Sequence, residues 1–156
     1  MPFPFTITYS STLNENFGPD RYVAVLGFIS DFIVNKPAKD IVIDNNTLTF
    51  KPGPSFWNTN IMVPIERGIF TLSSRGDRAV LTYEFFMYHM FIYTGVMAVG
   101  FGIISQEIWV CVGAFLWLCG MNWLIALARH KGMFDDIAAG IDTFLQQEMP
   151  EKPGER

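Results

Sequence analysis

Residues 85–128 read FFMYHMFIYTGVMAVGFGIISQEIWVCVGAFLWLCGMNWLIALA, two apolar runs separated by Ser-Gln-Glu. The first run, 85–104, holds 20 residues with one ionisable side chain, His89, and the second, 108–128, holds 21 residues with none. A helix rises about 1.5 Å per residue, so each run covers roughly 30 Å, the thickness of a bilayer's hydrocarbon core. Two buried helices of a soluble protein are the alternative, but such helices keep a polar stripe that these runs lack. The sequence therefore predicts a transmembrane helical hairpin over 85–128.

Residues 1–84 carry the patterns of a small α+β domain. Apolar residues alternate with polar ones over 3–9, 61–65 and 79–83, and short apolar runs at 41–43 and 48–50 flank Asp44-Asn45-Asn46. Alternation with period two predicts half-buried strands, and Asp-Asn-Asn predicts a hairpin turn. Apolar residues at helical spacing over 22–33 predict one helix, which either covers the sheet or lies on lipid. We therefore expect an antiparallel sheet of about six strands with one packed helix.

Residues 129–156 are predicted to form a cytoplasmic amphipathic helix and a disordered tail. Apolar residues fall at helical spacing at 134, 137, 138, 141, 144 and 145, and Asp135 and Asp136 suit the positive end of a helix. Pro150 ends the pattern. Residues 132–156 carry six acidic and two basic side chains, and anionic headgroups repel such a helix. We expect Phe134, Ile137, Ile141 and Leu145 to dock on a sheet domain, of the same chain or of a neighbouring one.

The charges that flank the hairpin predict its orientation. Arg67, Arg75 and Arg78 precede the first run, Arg129 and Lys131 follow the second, and the connecting turn offers only Glu107. Basic residues favour the cytoplasmic side of a membrane. Residues 1–6 lack the basic and apolar segments of a cleavable signal peptide. We expect an integral protein of a bacterial inner membrane with both termini in the cytoplasm.

No pattern typical of catalysis or of cofactor binding occurs in the chain. A glycine-rich phosphate loop, a nucleophile elbow, an HExxH motif and a Cys/His cluster are all missing from the sequence. Cys111 and Cys119 both fall inside the second run, where they act as small packing residues. No basic stripe suggests a nucleic-acid surface. We expect no catalytic residue, no metal, no cofactor and no nucleic-acid partner.

Two polar contacts between the predicted helices follow from how far each residue lies from the turn that joins them. Counted from the turn at Gln106, His89 lies 17 residues before it and Asn122 lies 16 after it. The two would therefore meet as an intramembrane polar pair, and Glu84 would meet Arg129 in an ion pair at the inner boundary. Such pairs fasten helices together. A proton-relay residue or an axial ligand to a haem or pigment is the other interpretation of His89.

Small residues occupy other faces of the predicted spans. They are Gly95, Ala98 and Gly102 on the first helix, and Gly113 and Gly120 on the second. Small residues allow helix backbones to approach closely in lipid. If the polar pair lies inside one hairpin, the small faces need another chain, so we expect a homo-oligomer.

The sequence-based hypothesis is a non-enzymatic membrane protein. Its cytoplasmic domain, held close to the lipid bilayer, would bind a partner or another copy of itself. The alternative is an oligomeric channel or proton-conducting subunit whose pathway uses His89, Tyr93 and Asn122.

Overall fold

A computed structural model of the chain describes residues 5–14, 17–36, 38–53 and 65–148. The elements are β1 (Thr6–Thr12), a 3-10 turn (Pro19–Arg21), α1 (Tyr22–Val34), β2 (Ala38–Asp44), β3 (Thr47–Pro52), β4 (Arg67–Arg75), β5 (Arg78–Phe86), α2 (Tyr88–Ser105) and α3 (Ile108–Glu148). Of the strand predicted over 61–65, only Ile65 lies among the described residues, where it precedes β4.

The strands form one antiparallel sheet in the order β1-β5-β4-β3-β2. About six strands were predicted, and the described residues contain five. Two tight turns connect neighbouring strands at one end of the sheet. Asn45 has a φ of 51° in the β2–β3 turn, and Gly76 has a φ of 65° in the β4–β5 turn. Asn and Gly tolerate this left-handed region, which explains why these residues close the hairpins.

One face of the sheet carries the core. The apolar side chains that β3, β4 and β5 turn to this face are fully buried: Leu48, Phe50, Phe70, Leu72, Leu81, Tyr83 and Phe85. Helix α1 covers them with Val25, Leu26, Ile29 and Ile33, each 0% exposed. The helix predicted over 22–33 therefore covers the sheet, which was one of its two interpretations; the other was a helix that lies on lipid.

Helix α3 is one continuous helix of 41 residues, about 61 Å long at 1.5 Å per residue. The prediction of a span and a separate tail helix is corrected, because Arg129-His130-Lys131-Gly132 contains no residue that stops a helix. A lone Gly costs only about 1 kcal/mol in a helix. The second half of α3 buries Phe134, Ile137, Ile141 and Leu145 in the same core as the sheet and α1. Docking of these residues is thereby confirmed, within one chain.

Helix α2 pairs with the first half of α3 as a helical hairpin. It begins at Tyr88, three residues later than predicted, because Phe85 and Phe86 still pair with Ile7 and Thr6 in the sheet. Gln106, with a φ of 58°, ends α2. Both helices are long and apolar enough to cross a membrane, and only 11% of each apolar window is buried inside the protein.

Candidate functional site

The junction between the sheet and α2 is organised by Glu66. Its carboxylate accepts hydrogen bonds from the backbone N–H groups of Tyr88, at 3.0 Å, and His89, and it lies 3.1 Å from Nδ1 of His89. The first N–H groups of a helix have no partner within the helix, so Glu66 caps α2 from outside it. Burial raises the pKa of Glu66, and the hydrogen bonds and charge of His89 offset part of that rise. His89 is therefore fixed at the end of the hairpin that adjoins the sheet.

The predicted pair of His89 and Asn122 does not form. The imidazole of His89 contacts Glu66 and stacks against Tyr93 with ring centroids 6.0 Å apart, while the amide of Asn122 donates to the carbonyl of Leu118 at 2.6 Å. A count from the turn gives the depth of a side chain but not its direction around the helix. Each residue instead takes a nearer partner, one from the loop before β4 and one from its own helix.

The predicted ion pair of Glu84 and Arg129 is absent as well. Glu84 lies in β5 between Tyr83 and Phe85, both of which point into the core. Successive side chains of a strand point to opposite faces, so Glu84 lies on the face away from α3. Arg129 is exposed on α3, and the sheet separates the two charges.

The small residues of α2 pack inside the hairpin, where the sequence had suggested another chain. Ala98 is 1% exposed, and a Cβ added at Gly102 would lie 2.7 Å from the Cβ of Cys111. Gly102 is thus required for close approach of α2 to α3. Gly113 and Gly120 have nothing within 4 Å of the corresponding position, so they lie on the open side of α3. A contact between copies through these two glycines stays a prediction.

His130 and Tyr83 form a buried polar pair in the domain that was not predicted from the sequence. His130 is 0% exposed, its Nδ1 lies 2.9 Å from the Tyr83 hydroxyl, and its ring stacks on Phe85 with centroids 4.4 Å apart. Burial, and then the charge of Arg129, lowers the pKa of His130 to about 4. Nε2 has no hydrogen-bond partner among the described residues. The spacing 130, 134, 137 and 141 was the available signal, since it places His130 on the apolar stripe.

This pair is neutral at physiological pH. Burial raises the pKa of Tyr83 well above its ordinary value of 10, and the His130 imidazole is uncharged above its lowered pKa. A second tyrosine acts nearby, since the hydroxyl of Tyr9 donates to the carbonyl of Leu127 at 3.1 Å. Both tyrosines therefore tie α3 to the sheet at the level where the helix leaves the hairpin. Their chemistry is that of structural hydrogen bonds inside an apolar core.

An open groove of about 500 Å³ lies at the opposite end of the domain. The residues that line it are Pro19, Tyr22, Val23, Asn45, Asn46, Leu72, Ser73 and Ser74. The amide of Asn46 already donates to the carbonyl of Leu72 at 2.8 Å. In the part of the chain that the structure describes, no three His, Cys, Asp or Glu side chains gather as metal ligands.

Comparison with known protein families, with curated proteins and with solved structures finds no match to this chain.

Proposed function

We propose that the chain is a membrane-anchored interaction protein, whose α2–α3 hairpin spans the bilayer and whose α+β domain binds a partner or another copy of itself at the cytoplasmic surface. The observation that carries this proposal is the exposure of the hairpin. Ile104 is 82% exposed, Trp109 78% and Trp117 69%, while the domain beside them buries its large apolar side chains. A continuous apolar surface of this kind is costly in water, and lipid removes that cost.

The connections between hairpin and domain support an interaction role. Met87 is the single residue between β5 and α2, and α3 passes from the hairpin into the core without a break. The domain is therefore held in one orientation against the bilayer. It presents the other face of its sheet, where Thr49, Thr71 and Thr82 alternate with the buried residues, and their hydroxyl groups suit reversible contact with another protein.

Orientation is tested by single cysteines at Ser10, Gln106 and Gln147 in a background that lacks Cys111 and Cys119. We expect an impermeant thiol reagent added outside intact cells to label only the cysteine at position 106, since basic residues flank the hairpin on the side of the domain. Labelling at position 10 or 147 from outside would refute a cytoplasmic domain. Recovery of the chain in the soluble fraction after alkaline extraction would refute the anchor itself.

An oligomeric channel is the second candidate, and the outward face of α2 favours it. Tyr93 is 67% exposed and stacks on His89, so several copies could line a polar seam with these rings. Ion or proton flux through reconstituted protein separates the candidates. A channel requires flux that His89→Ala changes, whereas an interaction protein shows none with either sequence.

A further inference from the structure

We propose that the end of the sheet nearest the hairpin binds anionic lipid headgroups through four basic side chains: Lys36, Lys39, Lys51 and Arg67. We call these residues the proximal basic cluster. The inference rests on the proposed insertion of the hairpin and adds a specific lipid contact to it.

The register of the sheet brings these residues to one end. Strand β5 runs through Phe86 into α2, so Phe86 marks the end of the sheet at the hairpin. Phe86 pairs with Arg67 of β4, and Phe50 pairs with Gly68, which leaves Lys51 next in register beside Arg67. Lys51 in turn pairs with Lys39 of β2. Lys36 follows α1 and stands two residues before β2, at the same end.

This end of the sheet lies where α3 leaves the hairpin. Tyr9 in the middle of β1 contacts Leu127, and Asn14 just after β1 contacts Asp142. The two α3 residues are 15 positions apart, about 22 Å along the helix, so β1 runs away from the hairpin in the same direction as α3. The strands run roughly along the axis of α3, and the cluster lies at the level of the bilayer surface when the hairpin is inserted.

The basic side chains are presented to solvent. Gly68 and Phe70 of β4 and Phe50 of β3 point into the core, so Arg67 and Lys51 lie on the other face of the sheet. The guanidinium of Arg67 lies over the ring of Phe86, 5.2 Å from its centroid. An aliphatic stem along an apolar surface with its charged group in water is the arrangement that Lys and Arg adopt at membrane boundaries.

The positive charge of the cluster is only partly neutralised by the protein. Asp40 pairs with Lys51 at 3.1 Å, and the carboxylate of Glu66 is occupied by the first turn of α2. Lys36, Lys39 and Arg67 form no ion pair with any residue that the structure describes. Like charges on neighbouring strands repel one another. Anionic headgroups at the same level would supply the missing counter-charge.

The opposite end of the sheet provides a matched control. Arg75 and Arg78 flank the β4–β5 turn, at the far ends of the strands that carry Arg67 and Phe86. Electrostatic attraction between exposed charges is largely screened beyond about 8–10 Å at physiological salt. Arg75 and Arg78 contribute the same charge to the whole protein but lie too far from the bilayer to bind its headgroups.

The experiment uses the full chain reconstituted in phosphatidylcholine vesicles that contain traces of spin-labelled phosphatidylglycerol or spin-labelled phosphatidylcholine. Flotation and resistance to alkaline extraction first establish insertion. The fraction of each labelled lipid immobilised by the protein then gives the preference for phosphatidylglycerol. A basic residue near an anionic surface changes partitioning by about fivefold, so we expect a severalfold preference that disappears at about 1 M salt, where the Debye length is about 3 Å.

Two double variants test whether the proximal basic cluster binds the headgroups. Lys39→Gln with Arg67→Gln should lower the preference severalfold, and Arg75→Gln with Arg78→Gln should leave it unchanged. Insertion without any preference, or an equal loss in both double variants, would overturn the lipid site and leave the proposed anchor intact. Failure of the wild-type chain to float with vesicles would overturn both.

Discussion

The buried imidazole of His130 predicts a specific loss of domain stability in acid. The pKa of His130 is about 4 in the folded chain and 6.5 in an exposed histidine, so the folded state binds fewer protons between these values. Stability from the neutral imidazole is complete above pH 6.5 and is lost as the pH falls towards 4. The difference of 2.5 pH units corresponds to about 3 kcal/mol in the free energy of unfolding.

The assay is urea unfolding of the full chain in mild detergent, followed by near-ultraviolet circular dichroism at pH 7.5 and pH 4. The control is His130→Phe combined with Tyr83→Phe, which keeps the stack on Phe85 and leaves no unpaired hydroxyl. The pKa of Glu66 is raised, so this carboxyl has the opposite pH dependence, but it is present in both chains and cancels in the comparison. We expect wild type to lose about 3 kcal/mol more than the double variant. Parallel pH curves would refute a buried neutral His130.

Three further predictions follow from contacts of the hairpin and the core. Gly102→Leu should destabilise the packed hairpin by about 1–3 kcal/mol, because the new side chain would overlap α3. Gly113 lies on the open side of α3, so Gly113→Leu should change the thermal stability of the hairpin little. Ile141→Asp should expose the domain to protease, since a charge at this fully buried position costs several kcal/mol; unchanged protease resistance would count against docking of α3. Glu66→Gln should increase amide hydrogen exchange at the start of α2, because the cap contributes about 0.5–2 kcal/mol. Exchange equal to wild type would show that Glu66 does not stabilise the first turn of α2.

Local periodicity was sufficient to predict most of the secondary structure. The strands around Ile7, the helix over 22–33, the hairpin turn at Asn45 and the apolar stripe through Ile137 all appear where their patterns place them. Each of these signals depends on neighbours within two turns or one strand. The antiparallel sheet and the two apolar helices follow from such patterns alone.

The errors concern features that no local pattern carries. His89 and Asn122 lie at equal distances from the turn, but this does not determine which way their side chains point around each helix. The partner of His89 is Glu66, which lies 23 residues earlier in the chain. Phe85 is as apolar as a span residue, so composition could not separate the end of β5 from the start of α2. His130 was hidden in a basic triplet that resembled a membrane boundary, although its spacing placed it in the core.

If the hairpin is inserted as proposed, the unbroken course of α3 makes the domain sensitive to the physical state of the bilayer. About 20 residues of this helix, or 30 Å, extend beyond the apolar run and form part of the core. Membrane helices change tilt when bilayer thickness changes. A change in tilt of about 10° would swing the far end of α3 by about 5 Å, and the sheet packed on it would swing too. A thicker or thinner membrane would thus reposition the sheet without any ligand, as a lever converts a small rotation into a displacement.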